Sequence, residues 1–180
     1  MGIYGWNRSG VRGFTLVEVM ITMAIIGVMS VVSLGTISGS RGNKDIEANA
    51  RILMTTIREA QNYALTGKNI RGMCGAKPCV PYSFKVSASG SAYVLEQSSI
   101  DAPAVFVGTA STLLNAVTVN STNGGVVFTV PRGEPSKGTG GAELVGSDVV
   151  DFSVSKDGKT SHVCVYPLGR VEEKPIGVAC

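Results

Sequence analysis

Apolar and polar residues alternate with different periods in three parts of the chain. Residues 14–34 form an almost uninterrupted apolar run in which Glu18 is the only charged residue. At about 1.5 Å of rise per residue, a helix of this length spans a hydrocarbon core of roughly 30 Å. The first part therefore predicts a transmembrane helix.

The second part repeats apolar residues at helical spacing. They lie three or four positions apart, at Ile46, Ala50, Leu53, Ile57, Ala60 and Ala64. This one-sided stripe predicts a helix that packs on a sheet, with Asn43 or Asp45 as its N-cap and Gly67 as its end. Residues 35–42 contain three glycines and predict either a plain break before this helix or a point where one helix bends.

The third part alternates apolar and polar residues with the period of two that is typical of strands. It predicts one hairpin over 82–97, turning at Gly90, and a second over 150–166, turning at Asp157-Gly158. Further strand-like runs lie at 104–109, 116–120 and 126–130. Residues 131–146, rich in Gly and Pro, predict a surface loop. The expected fold is α+β, a long N-terminal helix packed on an antiparallel sheet.

Charge is sparse in this chain of 180 residues. Charged residues make up 16% and the formal net charge is +3, against about 25% charged residues in typical globular chains. Loss of residues 1–13 would remove Arg8 and Arg12 and leave a formal charge of +1. This balance does not favour a strongly basic nucleic-acid surface. Positive residues stay on the cytoplasmic side, so the two arginines predict an exported C-terminal domain.

The start of the apolar run carries a specific motif. The short basic leader, Arg12-Gly13, and then Phe14-Thr15-Leu16-Val17-Glu18 resemble the signature of type IV prepilins. A secretory signal would have its apolar region before the cleavage site, whereas here the apolar run follows it. The resemblance implies that a membrane prepilin peptidase cuts between Gly13 and Phe14 and methylates the new amine of Phe14.

The resemblance also implies a role for Glu18 in assembly. A carboxylate within an apolar span costs several kcal/mol unless it is paired. In the family, the corresponding glutamate pairs with the Phe ammonium of a neighbouring subunit, so that two costly charges neutralise each other. The expected organisation is a leader at 1–13, a transmembrane and assembly helix with a Gly-rich break at 14–42, and an exported, pilin-like globular domain at 43–180.

Four cysteines in an exported domain predict disulfides. Cys74 and Cys79 flank a short loop, and Cys180 lies in a tail that a bond to Cys164 would fasten to a strand. That bond closes a loop of about 15 residues and contributes about 3 kcal/mol in the chain-entropy estimate. We predict the pairs Cys74–Cys79 and Cys164–Cys180, with crossed pairings as the alternatives. A zinc site at Cys74 and Cys79 would need two more ligands, so no metal or cofactor is predicted.

No catalytic constellation is evident, and we do not expect an enzyme. Asp148 and Asp151 are near each other in sequence but belong to no motif, and His162 is the single histidine. A late strand followed by Gly169-Arg170 resembles the GspH/FimT-type minor pilins and pseudopilins.

Some members of that group bind DNA through Gly-Arg-x-Arg. Glu172 stands here in place of the second arginine, and Glu173 follows it, so Arg170 is the one candidate DNA contact. An exposed basic patch joining Arg170 to Lys156, Lys159 and Lys174 would favour DNA binding.

The resemblance implies an assembly subunit, a minor pilin or pseudopilin, of a type IV pilus or type II secretion-like filament. Its expected partners are other pilin subunits, the prepilin peptidase and the membrane. The alternatives are a DNA-binding pilin of a DNA-uptake pilus and a major pilin. The expected location is the cytoplasmic membrane, with one span and the C-terminal domain outside, and after assembly an extracellular or periplasmic filament.

Overall fold

The computed structural model describes residues 13–74 and 76–180, with the side chains of 31–40, 102–107 and 109 excepted. The predicted leader therefore lies outside the described residues, apart from Gly13. By compactness the chain divides after Ser40 into an N-terminal unit and a C-terminal unit, residues 41–180. The two units are described separately below.

One helix, α1, runs from Leu16 to Thr66. The predicted break at 35–42 is wrong, because these residues lie within α1, and the predicted N-caps Asn43 and Asp45 are wrong for the same reason. Three glycines disfavour a helix by about 1 kcal/mol each relative to Ala, which lowers its stability locally without forbidding it. Gly67 ends α1 as predicted: its φ is +64°, and the next amide, of Lys68, donates to the Tyr63 carbonyl at 3.2 Å.

The described part of α1 in the N-terminal unit is exposed along its whole length. Every described side chain from 13 to 30 is solvent-exposed in the isolated chain. Within the described residues, no helix combines the length and the apolar character that crossing a membrane requires. The predicted span, 14–34, includes four residues whose side chains lie outside the description, 31–34.

Strands make up most of the C-terminal unit. In chain order they are β1 (Met73–Cys74), β2 (Lys77–Pro78), β3 (Pro81–Gly90), β4 (Ala92–Ser99), β5 (Ala102–Thr112), β6 (Thr118–Ser121), β7 (Val126–Thr129), β8 (Glu134–Lys137), β9 (Val150–Lys156), β10 (Lys159–Val165) and β11 (Val171–Lys174). Strands β1 and β2 form a separate small hairpin, and the others join in one antiparallel sheet. The predicted α+β class is confirmed.

The main path of the sheet follows the order β11-β10-β9-β6-β3-β4-β5, while β7 pairs with β3 and β8 pairs with β7. Both predicted hairpins are present, as β3–β4 and β9–β10. In the second hairpin Asp157 and Gly158 have φ of 51° and 74°, as a tight two-residue turn between antiparallel strands requires.

Two strands lie where the sequence predicted none. Strand β8 occupies part of the predicted surface loop 131–146, and β11 lies in the tail that showed no strand pattern. Both are four residues long and carry charged residues, so neither has an apolar alternation to reveal it. Backbone pairing with β7 and β10 defines them, and such pairing leaves no mark in the hydrophobic pattern.

The core lies between residues 46–64 of α1 and one face of the sheet. All six residues of the predicted stripe are completely buried. On the sheet, Phe84, Phe128 and Phe152 are equally buried, and the ring of Tyr63 lies 5.8 Å from that of Phe84. Burial of each large apolar side chain contributes about 1.5–3 kcal/mol, so this contact is the main source of stability in the C-terminal unit.

Both predicted disulfides are present. Cys74 pairs with Cys79 across the β1–β2 hairpin, and Cys164 on β10 pairs with Cys180. The second bond fastens residues 175–180, which follow the last strand, to the sheet. The crossed pairings are excluded by this arrangement.

One buried polar side chain joins α1 to a loop of the sheet. Asn49 is 2% exposed. Its Nδ2 donates to the Leu114 carbonyl at 3.3 Å, and its Oδ1 accepts the Leu114 amide at 3.1 Å. The side chain thereby satisfies both backbone groups of Leu114 at a position that no strand reaches.

We expect Asn49→Ala to lower the free energy of unfolding of the C-terminal unit by about 1–3 kcal/mol, because it leaves the Leu114 backbone groups without partners. Urea unfolding of the full chain in detergent, monitored by far-ultraviolet circular dichroism, measures the change. Asn62→Ala is the matched control, since Asn62 lies on the same helix and is exposed. Equal stability of the two variants would contradict this assignment.

Candidate functional site

The predicted cleavage junction lies just outside the helix. Gly13, Phe14 and Thr15 precede α1 and have no regular structure. The Phe14 side chain is 81% exposed, and among the described residues beyond the chain neighbours of Gly13, no atom lies within 4 Å of the position that a Cβ on Gly13 would take. A peptidase that grips the backbone at this bond would meet no obstruction from the described residues.

Glu18 occupies the first turn of α1. Its backbone amide lies 3.3 Å from Oγ1 of Thr15, which acts as the N-cap of the helix, and 3.1 Å from the Thr15 carbonyl. A carboxylate in the first turn also interacts favourably with the helix dipole. Within 13–74 and 76–180 the Glu18 carboxylate has no ion-pair partner, so it is available to a cation supplied from elsewhere.

The helix behind Glu18 presents a large apolar surface. Its large apolar side chains between Leu16 and Met29 are 44–76% exposed in the isolated chain. A contiguous apolar surface of this kind is rare in monomeric soluble proteins and marks a region that another molecule or a lipid phase covers. The N-terminal segment is therefore suited to burial in an apolar environment.

The second candidate region is the C-terminal tail around Gly169-Arg170. Residues Tyr166–Gly169 form a tight turn in which the Gly169 amide donates to the Tyr166 carbonyl at 3.1 Å. Gly169 has a φ of +80°, and a Cβ at this position would overlap the side-chain amide of Gln61 on α1. The positive φ favours glycine at this position, whereas the Gln61 amide is the end of a flexible side chain that could move aside.

Arg170 has partners on both sides. Its guanidinium carbon lies 4.2 Å from the centre of the Tyr166 ring, and its Nη2 lies 3.8 Å from Oε2 of Glu172. The same Glu172 oxygen accepts a hydrogen bond from Lys174 at 3.1 Å. That hydrogen bond holds the pKa of Glu172 below its usual range and raises the pKa of Lys174.

The other cations of the hypothetical basic patch also have partners. Lys156 is bound to Oδ2 of Asp45 at 2.6 Å, and Lys159 donates to Oδ1 of Asn43 at 2.9 Å. The hydrogen bond from Lys156, followed by one from Asn115, lowers the pKa of Asp45. The structure therefore does not assemble these lysines with Arg170 into a patch of free cations.

Asp148 and Asp151, neighbours in sequence, take different partners. Asp148 pairs with Lys137 at 3.1 Å, and its pKa is lowered chiefly by this hydrogen bond. Asp151 faces Nδ1 of His162 at 2.8 Å. Sequence reasoning missed the Asp151–His162 pair, because it depends on the register between β9 and β10.

The His162 pair lies beside the second disulfide. Sγ of Cys180 is 3.3 Å from Oδ1 of Asp151. A disulfide sulfur has no proton to donate, so this is a contact and not a hydrogen bond. The alternation along β10 places His162 and Cys164 on the same face of the strand. It does not show that Asp151 and Cys180 lie beside them.

Comparison with known proteins identifies the N-terminal segment. Residues 8–34 match the family described as the prokaryotic N-terminal methylation motif. A type II secretion system protein H of Aeromonas hydrophila is 30% identical over 67 residues, which is 37% of this chain and 37% of that protein. No solved structure matches significantly.

These matches and the geometry of the segment agree. The matched motif includes Gly13, Phe14 and Glu18, the residues of the predicted cleavage junction and of the predicted assembly contact. The C-terminal unit supplies the α+β arrangement of helix on antiparallel sheet. Over its N-terminal segment, the chain is similar to the type IV pilin-like prepilins.

Proposed function

We propose that this chain is a structural and assembly subunit, a minor pilin or pseudopilin, of a type IV pilus or a type II secretion-like filament. The proposal rests on the features of the N-terminal segment. It joins a prepilin motif to a helix with an exposed apolar surface and a carboxylate without an ion-pair partner among the described residues.

Assembly would offset two unfavourable features of that segment, the exposure of its apolar side chains and the lack of an ion-pair partner for Glu18 among the described residues. Packed helices of neighbouring subunits would remove the apolar side chains from water at about 25 cal/mol per Å². The Phe14 ammonium of a neighbour would pair with Glu18, which makes burial of either charge tolerable. Before assembly, the membrane would cover the same surface, and the prepilin peptidase would act at Gly13-Phe14. We infer that the globular unit is then exported and ends in a periplasmic or extracellular filament.

The name of the Aeromonas relative, a type II secretion system protein H, supports a pseudopilin of such a system. The C-terminal unit supports assembly and recognition in preference to DNA binding, since Arg170 and the nearby lysines are engaged by carboxylate or amide groups. A DNA-uptake pilin and a major pilin are the alternatives. We also propose that the chain has no enzymatic role.

Processing gives the first test of this proposal. Gly13→Val should leave the precursor uncut, because a branched side chain at the residue before the scissile bond blocks close approach of the peptidase to the backbone. Mass spectrometry of membrane-extracted protein, from cells that contain the peptidase, measures the length of the N terminus.

The matched control is Gly10→Val, the same change three residues earlier, which should be processed normally. Wild-type protein that keeps residues 1–13 in filaments would refute the assignment of the cleavage site.

Assembly gives the second test. Glu18→Ala should be processed and folded but should enter filaments at least about tenfold less, since loss of one partner of a buried ion pair costs about 3–5 kcal/mol and 1.4 kcal/mol is already tenfold. Immunoblotting of sheared filaments against the membrane fraction measures incorporation.

Glu47→Ala serves as the control, because Glu47 is an exposed glutamate on the same helix. Incorporation of the Glu18 variant at the wild-type level would argue against the pairing.

DNA binding gives the third test. The full chain in detergent should shift duplex DNA weakly or not at all, because Glu172 accompanies Arg170 and repels phosphate. Glu172→Arg should increase affinity and make it fall more steeply with salt, since each additional phosphate contact adds to the salt dependence.

Electrophoretic mobility shift at several salt concentrations measures both quantities. A tight, salt-sensitive complex of the wild type that is lost in Arg170→Ala would favour the DNA-uptake alternative.

A further inference from the structure

We propose that the surface around Leu168 binds a second copy of this chain, so that two C-terminal units form a symmetric dimer. This Leu168 surface consists of the exposed Leu168, the groove beside it and the neighbouring Leu65 on α1. It lies within the C-terminal unit and is distinct from the N-terminal segment, so the proposal does not depend on the filament role.

Leu168 is exposed in a backbone conformation that does not favour leucine. Its side chain is 99% exposed, the highest value among the described large apolar side chains. Its φ of 68° and ψ of 9° lie in the left-handed region, which Asn and Asp tolerate better than a branched apolar residue. Leu168 thus contributes neither to the core nor to an easy turn. A strained, exposed residue of this kind points to a role outside the single chain.

The turn that carries Leu168 is held on both sides. The Tyr166 amide donates to the Arg170 carbonyl at 2.9 Å, and the Gly169 amide donates to the Tyr166 carbonyl at 3.1 Å. The ring of Pro167 fixes the backbone dihedral just before Leu168. An apolar side chain on such a fixed turn loses little backbone freedom on binding, which favours its use as an anchor.

A groove lies directly beside this side chain. Its volume is about 270 Å³, and Leu168, Pro167 and the buried residues Pro135 and Leu144 line part of it. Small-molecule sites usually have about 300–1,000 Å³, so the groove suits a side chain better than a cofactor. Leu168 itself does not fill the groove, because nearly all of its surface is in contact with solvent.

Leu65 extends the apolar surface on the other side of the groove. It is 54% exposed, and a Cβ on Gly133 would lie 2.9 Å from its side chain. Gly133 stands between Arg132 and Glu134, which both line the groove. Two exposed leucines around an apolar groove make a contiguous surface, which is the kind that marks a protein contact.

The side-by-side arrangement of leucine and groove is self-complementary. In a two-fold pairing, Leu168 of each copy enters the groove of the other, and the same contact is made twice. The rim carries both signs of charge. Arg132 and Glu134 lie 3.7 Å apart with exposed side chains, and Glu143 takes part in no ion pair within 13–74 and 76–180. Two copies of this rim can therefore pair cation with carboxylate, whereas a rim of one sign would repel its own copy.

The first test measures self-association of the full chain in detergent by sedimentation at a series of protein concentrations. The wild type should form a dimer. Leu168→Gly should raise the dimer dissociation constant at least about tenfold, as expected for loss of a central apolar anchor.

Leu114→Gly is the matched control, because Leu114 is also an exposed leucine, at 61%, and lies in the loop that Asn49 binds. It should associate like the wild type. Both variants keep residues 14–34, so association through that segment would leave both dissociation constants unchanged.

The second test separates docking from a role in the fold. At a protein concentration low enough for the wild type to be monomeric, Leu168→Gly should unfold at the same or a higher urea concentration, since glycine adopts a positive φ without strain. A leucine that the monomer needs for its own stability would instead give a lower midpoint.

The third test locates the contact. Because each Leu168 would lie in the groove beside the Leu168 of its partner, Leu168→Cys should form a disulfide-linked dimer under copper-catalysed air oxidation. The band should be seen on a non-reducing denaturing gel and should be absent for Leu114→Cys.

Four results would overturn the proposal. One is a wild-type chain that stays monomeric over the whole concentration range. Another is wild-type dimer affinity in Leu168→Gly. The third is a clear loss of monomer stability in Leu168→Gly, which would assign the leucine to the fold. The fourth is equal cross-linking of Leu168→Cys and Leu114→Cys.

Discussion

The C-terminal unit depends on one contact, the apolar stripe of α1 against the inner face of the sheet. The stripe consists of six residues between Ile46 and Ala64, all of them fully buried. Its three alanines are small enough for a close approach to the sheet, and its large residues Leu53 and Ile57 are buried in the same core as the three phenylalanines. Among the described side chains the buried core cluster joins the sheet to this helix, so the position of the helix determines which sheet face is inside.

Polar groups around this contact are satisfied in pairs. Asn49 binds the Leu114 backbone, Asp45 binds Lys156, and Glu173 lies 3.7 Å from Arg51 of α1. The tail follows the same principle, since Glu172 lies between Arg170 and Lys174. Several of the few charges in this unit are paired with one another, which weakens the local positive field that would attract a polyanion.

The N-terminal segment has the opposite character. Its apolar side chains are exposed and the Glu18 carboxylate has no ion-pair partner within the described residues. The globular unit folds around its own core, whereas the exposed apolar surface of the segment is of the kind that another molecule or a lipid phase covers.

The sequence by itself determined the elements whose evidence is local. The stripe from Ile46 to Ala64, the Asp157-Gly158 hairpin and the prepilin motif at Gly13-Phe14 are each readable from spacing within a few residues. The pairing of Cys164 with Cys180 also followed from separation and strand position. Propensity misled at 35–42, where α1 continues through three glycines because flanking helix on both sides compensates for their low preference.

Features that depend on the register between distant segments became visible only in the tertiary structure. Strands β8 and β11 exist because neighbouring backbones pair with them, and their polar sequences give no sign of it. The meeting of Asp151 with His162 and Cys180 follows from the alignment of β9 with β10 and from the path of the tail. Hydrophobic periodicity fixes which face a residue takes, but the partner on that face is set by how strands far apart in sequence align.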